Sequence, residues 1–328
     1  MSSDLIEIDG PAGLVCALSA VTKKPCRIFN VLPQDLLNIQ TLARLCNGRI
    51  EGNCFYPGDI YGERFSVNIP AAESIVLALQ TLILPALFSP VPIKIIIDGG
   101  ATDTFFSQTT DYFRFVFLKI LEKMGVKIEV NILKRGYYPE GGGKVEVNIF
   151  PSKLKNLDLN ERGELKRVLI ISGASESSKE KKISEKQITG AREILGGLNL
   201  PMEEKIEYYP AQCPGSQICL IAEFQNTIIG ADGLGKLGKK AEDIGKEAAL
   251  ELLKEQKSNA CLDKYMADQI LPYLAMASGK SRVTVSEVTD RCQINMRIIE
   301  KFIDNKFEIK TAPNGTALTI RGLSLKSV

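Results

Sequence analysis

The sequence predicts an α/β (α+β) protein in which three repeated units of the βαβαββ type form a large domain, with a smaller α/β domain inserted. Two observations predict this fold. One order of helices and alternating strands occurs three times along the 328 residues, and a different order occurs once, from about residue 165 to 257. Because one such unit cannot cover the apolar face of its own sheet, three units are expected to pack around a shared core.

The first copy begins with an apolar helix over 13–22 and a strand over 26–32. A second helix follows over 34–47. Two strands, 49–55 and 64–69, then complete the copy, and the segment YPGDIYGE is expected to join them.

The second and third copies repeat this order of helix, strand, helix, strand, strand. In the second copy these elements are 72–87, 93–99, 111–125, KIEVNILKR and KVEVNIF. In the third they are 263–277, 282–288, 294–304, FEIKTA and ALTIRGL. A proline late in the first helix of both copies, in LILPAL and QILPYL, supports aligning them. In KVEVNIF, Val145, Val147 and Ile149 alternate with polar residues, as expected for a half-buried strand.

The inserted segment has the order β-α-β-β-β-α, with a strand at 167–173 and helices at 183–198 and 238–256. We therefore predict a large domain formed by residues 1–165 and 258–328, and an inserted domain formed by residues 166–257.

Composition restricts the possible classes of protein. The chain is 45% hydrophobic and has a formal net charge of only +2, so any nucleic-acid binding must rest on local patches. No apolar stretch approaches the roughly 20 residues of a membrane span, and the N-terminus does not resemble a signal peptide. We expect an intracellular, cytoplasmic protein without membrane association.

The chain contains no histidine, which excludes every mechanism that needs an imidazole as base or nucleophile. Its eight cysteines contain no CxxC pair. Without histidine they give no zinc-site pattern, so no metal site is predicted. Most of the cysteines lie in apolar stretches and are interpreted as small core residues.

Several segments resemble the RNA 3'-terminal phosphate cyclase family, in that family's order. They are IDG (8–10), LALQTLILPALF (77–88), GGATD (99–103), RGYYPEGGG (135–143), GKKAEDIGKEAA (238–249) and DKYMADQILPYLA (263–275). The resemblance implies three αβ repeats with a thioredoxin-like insert. It also implies that ATP is used to convert an RNA 3'-phosphate into a 2',3'-cyclic phosphate, through a histidine that becomes adenylylated.

This sequence departs from the family pattern at the site that the resemblance implies. In VSEVTDRCQINMRIIEKF, Asn295 matches the asparagine of a His-x-x-Thr-Asn pattern, so Arg291 occupies the place of the histidine and Ile294 that of the threonine. A guanidinium stays protonated and has no lone pair for a phosphorus atom. The family's glycine-rich loop after IDG is missing, because Pro11 and Ala12 lead directly into the first helix.

Gln80, Tyr265, Asp268 and Gln269 match family positions at the nucleotide site, where the tyrosine would stack on adenine. These residues also have an ordinary structural interpretation. Tyr265 and Gln269 are four positions apart on one helix face, and Asp268 can cap a helix or form an ion pair. Because the neighbouring motifs are lost, we favour the structural interpretation.

Cys292 is one possible replacement for the nucleophile, because a neighbouring cation such as Arg291 lowers a thiol pKa. If the chain is extended there, however, adjacent side chains point to opposite faces. A lysine replacement has no support, since the chain contains no KxDG motif.

Three hypotheses follow. The first is a catalytically degenerate family member that binds RNA 3'-ends, structured RNA or RNA-processing proteins. The second is an active cyclase with a displaced nucleophile, which would need ATP and Mg or Mn. The third is a structural or dimerising protein, and a homo-oligomer is possible. The residues proposed to contact RNA phosphates are Arg291, Arg135, Lys134 and Arg297, and Arg291 could instead form a surface ion pair with Asp290 or Glu287.

The three consecutive glycines of RGYYPEGGG exceed what a hairpin turn needs. A turn explains one of them. We interpret the others as positions where the backbone packs closely against the rest of the large domain or the site.

Overall fold

A computed structural model describes residues 5–62, 64–105, 107–198 and 201–324. Within these residues the strands form several mixed four-stranded sheets covered by helices, which confirms the predicted α+β class. None of the helices in the described part of the chain is long and apolar enough to cross a bilayer.

The first sheet has the strand order β1-β2-β4-β3. Its unit consists of β1 (Ile6–Asp9), α1 (Ala12–Thr22), β2 (Cys26–Phe29), α2 (Pro33–Leu45), β3 (Arg49–Glu51) and β4 (Cys54–Tyr56). The hairpin between β3 and β4 turns at Gly52 and Asn53, not at YPGDIYGE as predicted. Each of its strands has three residues, too few to show an alternating pattern in the sequence.

The second sheet repeats this order as β5-β6-β8-β7. Its unit consists of β5 (Arg64–Ser74), α3 (Ile75–Ala86), β6 (Ile93–Ala101), α4 (Thr110–Tyr112), a π-helical turn (Phe113–Phe117), α5 (Leu118–Lys123), β7 (Ile128–Lys134) and β8 (Lys144–Ile149). The strand RFSVNI therefore opens this unit instead of closing the first, because it pairs in parallel with β6. The predicted alternation of β8 is confirmed, with Val145, Val147 and Ile149 buried.

A separate sheet follows a short strand, β9 (Asp158–Leu159), and has the order β11-β10-β12-β13. Its elements are β10 (Leu165–Ser175), a 3₁₀ turn (Glu176–Ser178), α6 (Ile183–Leu195), a second 3₁₀ turn (Gly196–Leu198), β11 (Met202–Tyr209), β12 (Ser216–Phe224), β13 (Ile228–Leu234) and α7 (Ala241–Lys257). This is the predicted β-α-β-β-β-α order. Arg162 lies where the chain enters this region, and its guanidinium donates to Asn259 Oδ1 (2.9 Å) and the carbonyl of Ala260 (3.4 Å), where the chain leaves it.

The third unit ends the described chain, and its sheet order β9-β14-β16-β15 matches the other two. Its elements are β9, α8 (Lys264–Met276), β14 (Lys280–Val285), α9 (Asp290–Phe302), β15 (Glu308–Ala312) and β16 (Gly315–Arg321). Because β9 pairs with β14, the insertion lies inside the third unit and not before it. The predicted domain boundaries and the thioredoxin-like character of the insert stay predictions.

Side-chain caps fix where the helices of the site begin. The Asp263 carboxylate accepts hydrogen bonds from the N–H groups of Tyr265 (3.0 Å) and Met266 (2.9 Å) at the start of α8. The Thr289 hydroxyl accepts from Cys292 N–H (3.2 Å) at the start of α9. Such caps satisfy N–H groups that have no partner inside the helix.

One hydrophobic core contains buried residues of all three units, including Leu18, Leu79, Phe117 and Ile299. A second core lies between β10, β12, β13 and the two helices of the insert. The shared core brings α1, α3, α8 and α9 together, and residues of these helices line one cavity.

Candidate functional site

A cavity of about 200 Å³ lies where helices of all three units converge. Its polar lining comes from the start of α1 and from α2, α3, α8 and α9. The side chains that bring polar groups to it are Asp35, Asn38, Gln80, Thr81, Asp268, Gln269, Tyr273, Arg291 and Asn295. The structure thus brings together Gln80, Asp268, Gln269 and Arg291. The sequence placed the first three on two different helices and Arg291 just before a third.

Arg291 lies at the edge of this cavity and forms an ion pair with Asp268. Its Nε is 2.7 Å from Asp268 Oδ2, and the Arg291 side chain is 57% exposed while that of Asp268 is 8% exposed. Neither of the predicted surface partners, Asp290 or Glu287, makes this contact. Burial raises the pKa of Asp268 to about 6, against the opposing effect of the Arg291 charge.

Three glutamine side chains form a hydrogen-bonded row, of which Gln80 and Gln269 line the cavity. Gln80 Nε2 donates to Gln269 Oε1 (2.8 Å), and Gln269 Nε2 donates to Gln108 Oε1 (2.9 Å). These bonds hold the amides in fixed orientations. Each of the Gln80 and Gln269 amides uses one of its two N–H groups in these bonds, which leaves the other for another partner.

Two polar atoms of the cavity lining have no hydrogen-bond partner among the described residues, although they are buried. They are Asn295 Oδ1 and the Tyr273 hydroxyl. The Asn295 side chain also donates from Nδ2 to the carbonyl of Asp268 at 3.5 Å. Since unpaired buried polar atoms are destabilising, their position favours a polar ligand or water in this cavity.

The N-terminus of α1 also lines the cavity. The first N–H groups of any helix have no partner within the helix. Pro11, which precedes α1, provides no side-chain cap for them. Gly13 is needed here, because a Cβ would overlap the hydroxyl of Thr81 on α3. Together with the Arg291 guanidinium, this helix end makes the cavity suitable for an anion.

Tyr265 does not line this cavity. It lies in a neighbouring pocket of about 450 Å³, together with Gln108 and Asp232. The Gln269–Gln108 hydrogen bond runs between residues of the two pockets, so the glutamine row separates them. Asp232 was not predicted as a site residue. It accepts a hydrogen bond from Thr109 N–H (2.5 Å), and burial raises its pKa to about 6.

The structure contradicts Cys292 as a replacement nucleophile. Residues 290–302 are helical and not extended, and the Cys292 side chain is buried, with its Sγ 3.8 Å from the carbonyl of Ala267. Burial and the nearby Asp268 carboxylate raise the thiol pKa to about 12. At neutral pH the side chain is therefore an unreactive thiol.

The structure also contradicts Arg135 as an RNA contact. Its side chain is fully buried, with Nη1 3.0 Å from Asp103 Oδ2 and Nη2 2.7 and 2.8 Å from the two oxygens of Asp111. Glu207 of β11 lies 3.6 Å away. Arg135 thus links the second unit to the insert, and no phosphate can reach it.

Lys134 and Arg297 lie outside the cavity lining. Lys134 is half-buried at the end of β7, and Arg297 is exposed on α9. Their contact with RNA stays a prediction, as do the nucleotide-binding roles of Gln80, Tyr265, Asp268 and Gln269. Among the described residues, no group of three or more His, Cys, Asp or Glu side chains is arranged to hold a metal ion.

The glycine-rich stretch packs closely, as predicted. A Cβ at Gly141 would overlap the carbonyl oxygen of Ala71, and one at Gly142 would overlap the Gln212 side chain of the insert. Gly141 and Gly142 also have φ angles of +69° and +73°, which favour glycine.

Comparison with known proteins identifies the family to which the chain is similar. A family model described as RNA 3'-terminal phosphate cyclase matches residues 14–309. The chain belongs to this family. It is 37% identical over 311 residues to the RNA 3'-terminal phosphate cyclase of Pyrococcus furiosus, with 90% of each chain covered. It is 36% identical over 352 residues to that of Caldivirga maquilingensis, covering 98% of this chain and 99% of the relative. The identity with that of Methanothermobacter thermautotrophicus is 36% over 341 residues, covering 95% and 98%.

Proposed function

We propose that this protein binds the 3'-phosphate end of RNA without forming a covalent adenylate. Arg291 carries this proposal. Its guanidinium is more than half exposed at the edge of the cavity, and it is held there by a single carboxylate, that of Asp268. A planar guanidinium can bind two oxygens of a phosphate at once.

The side chains around the cavity support binding more than catalysis. The chain contains no histidine. No cysteine or lysine is among the described residues that line the cavity, and the buried Cys292 thiol has a raised pKa. A covalent adenylate therefore has no evident acceptor at this position.

The class of ligand is inferred from the relatives. Their names state that they act on RNA 3'-terminal phosphates, and this chain matches them over nearly its whole length. An anion-binding helix end and an exposed guanidinium suit the same terminal phosphate. RNA-processing proteins are a further class of partner.

Incubation with α-labelled ATP and Mg or Mn tests whether the protein forms a covalent adenylate. We expect no label on the denatured protein, while the Pyrococcus furiosus relative serves as a positive control. A label on this chain would support an active cyclase instead. The variant Cys292→Ala would then show whether the thiol carries it.

Binding is tested with oligonucleotides that end in a 3'-phosphate or a 3'-hydroxyl. We expect the wild type to prefer the phosphate, and Arg291→Gln to lower affinity for it by roughly tenfold, as for loss of one charge-assisted contact. Lys301→Gln removes the same charge from the same helix, outside the cavity lining, and serves as the control. Equal affinity of the wild type for the two ends would contradict the proposal.

A further inference from the structure

Two aromatic side chains of the second unit are exposed and pack against each other. The rings of Phe105 and Tyr138 meet edge to face, with their centroids 5.8 Å apart, and the two residues are 48% and 54% exposed. In every other aromatic pair of the described residues, at least one ring is fully buried. Single apolar side chains are ordinary on a protein surface, whereas two exposed rings in contact form a patch more typical of a binding surface.

The position of this pair distinguishes it from the other exposed aromatic residues of the described chain, Phe29 and Tyr61. Neither of these is in an aromatic pair, and neither lines one of the two cavities. Phe105, by contrast, lines the cavity of about 450 Å³, as does Gln108. The Gln108 side chain accepts a hydrogen bond from Gln269, which lines the cavity of about 200 Å³. The pair therefore borders the proposed binding region.

Neither ring of the pair lies under a cation of the described residues. Half-buried rings elsewhere on the surface are covered in this way. Arg49 lies 4.9 Å from the centroid of the Tyr56 ring, and Lys127 lies 4.3 Å from that of Phe150. A cation over a ring occupies the face on which a ligand would stack. With about half of each side chain exposed, the pair offers such a face.

Hydrogen bonds hold the two loops that carry the pair. The N–H of Asp103 donates to the carbonyl of Gly136, at 3.2 Å. Tyr137, which precedes Tyr138, is buried, and its hydroxyl donates to Gln217 Oε1 of the insert at 2.8 Å. Exposed rings on backbone held in this way lose little conformational freedom when a ligand binds, which favours binding.

We propose that Phe105 and Tyr138 form a stacking surface for an unpaired RNA base, in a nucleotide upstream of the 3'-phosphate. This inference rests on the proposed binding of RNA 3'-ends and extends it to the nucleotides that precede the phosphate. Aromatic side chains bind single-stranded nucleic acid because every base has a flat π face. Phe105 precedes Gln108 by three positions, which span at most about 11 Å. The stacked base is therefore expected in one of the last few nucleotides.

Abasic oligonucleotides test this inference on the unchanged protein. The probe is a 3'-phosphorylated oligoadenylate of about 8 nucleotides, since single-strand sites cover roughly 4–16. Loss of the base at one of the last few positions should weaken binding at least about fivefold, the lower end of what one stacked base contributes. Loss of the base at the 5' end should have no effect. Equal affinity for all abasic forms and the intact probe would overturn the inference.

Replacement of the rings connects that effect to the pair. F105L/Y138L keeps apolar side chains but removes the π faces, so it should bind the intact probe at least about fivefold more weakly. It should also no longer respond to loss of the stacked base. Tyr138→Phe keeps the ring and should bind like the wild type. Tyr61→Leu is the matched control, because Tyr61 is 55% exposed and unpaired with another ring of the described residues. Equal weakening by Tyr61→Leu would overturn the inference.

Tyr138→Trp gives a direct signal, because the chain contains no other tryptophan. Stacking of a base should quench its fluorescence when the probe binds, and the probe that lacks the stacked base should quench it less. Tyr61→Trp should show no quenching. Equal quenching of Tyr138→Trp by ATP alone would identify a free nucleotide as the ligand instead of an RNA strand and would overturn the inference.

The outcomes distinguish this inference from the proposed function. If F105L/Y138L binds like the wild type and still prefers a 3'-phosphate to a 3'-hydroxyl, the stacking surface is overturned and 3'-end binding stands. If the wild type binds both ends equally and F105L/Y138L binds both more weakly, the stacking surface stands and the phosphate site is overturned. Binding of neither oligonucleotide by the wild type would overturn both.

Discussion

Arg135 and Arg291 are both paired with aspartates, yet their surroundings give them opposite roles. Arg135 is fully buried among Asp103, Asp111 and Glu207. Arg291 is 57% exposed and contacts a single carboxylate, that of Asp268. The comparison shows what makes an arginine available to a ligand. Its side chain must be exposed, and it must have so few carboxylate partners that an incoming anion can compete with them.

The electrostatics of the two regions differ in the same way. Burial alone would lower the pKa of Arg135, but Asp111 and Asp103 outweigh it and hold the pKa well above its ordinary value. Removing one member of such a buried group leaves charges without compensation. In the other pair the exposed guanidinium of Arg291 is screened by water, and the buried Asp268 has a raised pKa.

The largest expected effect is on Arg135→Met. We expect it to lower the free energy of unfolding by about 3–5 kcal/mol, because Asp103 would remain buried without a counter-charge and Asp111 would keep only Arg114, 3.9 Å away. Chemical denaturation measures this, and Arg291→Met, expected to change stability by less than about 1 kcal/mol, is the matched control. Similar losses in the two variants would remove the contrast between the regions. Adding D103N and D111N to Arg135→Met should recover part of the loss.

A smaller effect is expected at Gly141, in the same region as Arg135. Gly141→Ala should destabilise the protein by more than the roughly 1–2 kcal/mol of a left-handed residue, because its Cβ also meets Ala71. Gly52→Ala isolates the backbone contribution, since Gly52 has a φ of +58° and no atom lies within 4 Å of the position that its Cβ would take. Thermal unfolding of the two variants should therefore differ. Equal melting temperatures would mean that the close packing around Gly141 does not contribute to stability.

The affinity of the Arg291 cavity for anions should depend on pH. Asp268 has a pKa of about 6, above its ordinary value, so it takes up a proton as the pH falls through 6 and releases Arg291. We expect the affinity for sulfate, which does not titrate in this range, to rise severalfold between pH 7.5 and 5. Asp268→Asn should bind sulfate more tightly at pH 7.5 and lose this part of the pH dependence. Calorimetric titration measures both, and an unchanged pH profile in the variant would show that Asp268 does not control Arg291.

The smallest effect concerns stability over the same pH range. Since the pKa of Asp268 in the folded state lies above that in the unfolded chain, the folded state holds more protons between about pH 4 and 6. The free energy of unfolding therefore falls as pH rises through this window. In Asp268→Asn this contribution to the pH dependence of the free energy of unfolding should disappear. The contributions of Asp232 and of other acids with raised pKa values should remain. A slope identical to that of the wild type would contradict the raised pKa.

Much of the fold could be predicted because long elements carry periodic patterns. The apolar helices α3 and α8 and the alternating strand β8 are examples. The strands β3, β4 and β9 have two or three residues each, too few to show a pattern, and they are where the repeat boundaries were wrong. The site was predicted in part. Gln80, Asp268, Gln269 and Arg291 were singled out through the family resemblance, whereas Asp35, Asn38, Thr81 and Tyr273 of the same cavity were not. The burial of Arg135 depends on Asp103 and Asp111, 32 and 24 positions away. A basic residue at the end of a strand gives no local sign of such pairing.

Arg162 has a further consequence for how the chain assembles. Its hydrogen bonds to Asn259 and Ala260 hold together the two points where the chain leaves and re-enters the third unit. The segment between them therefore behaves as a closed loop with a folded domain in it. Closing a loop becomes only slowly more unfavourable with its length. The two-residue strand β9 can thus pair with β14 across more than a hundred positions, and the third sheet forms as if its sequence were continuous.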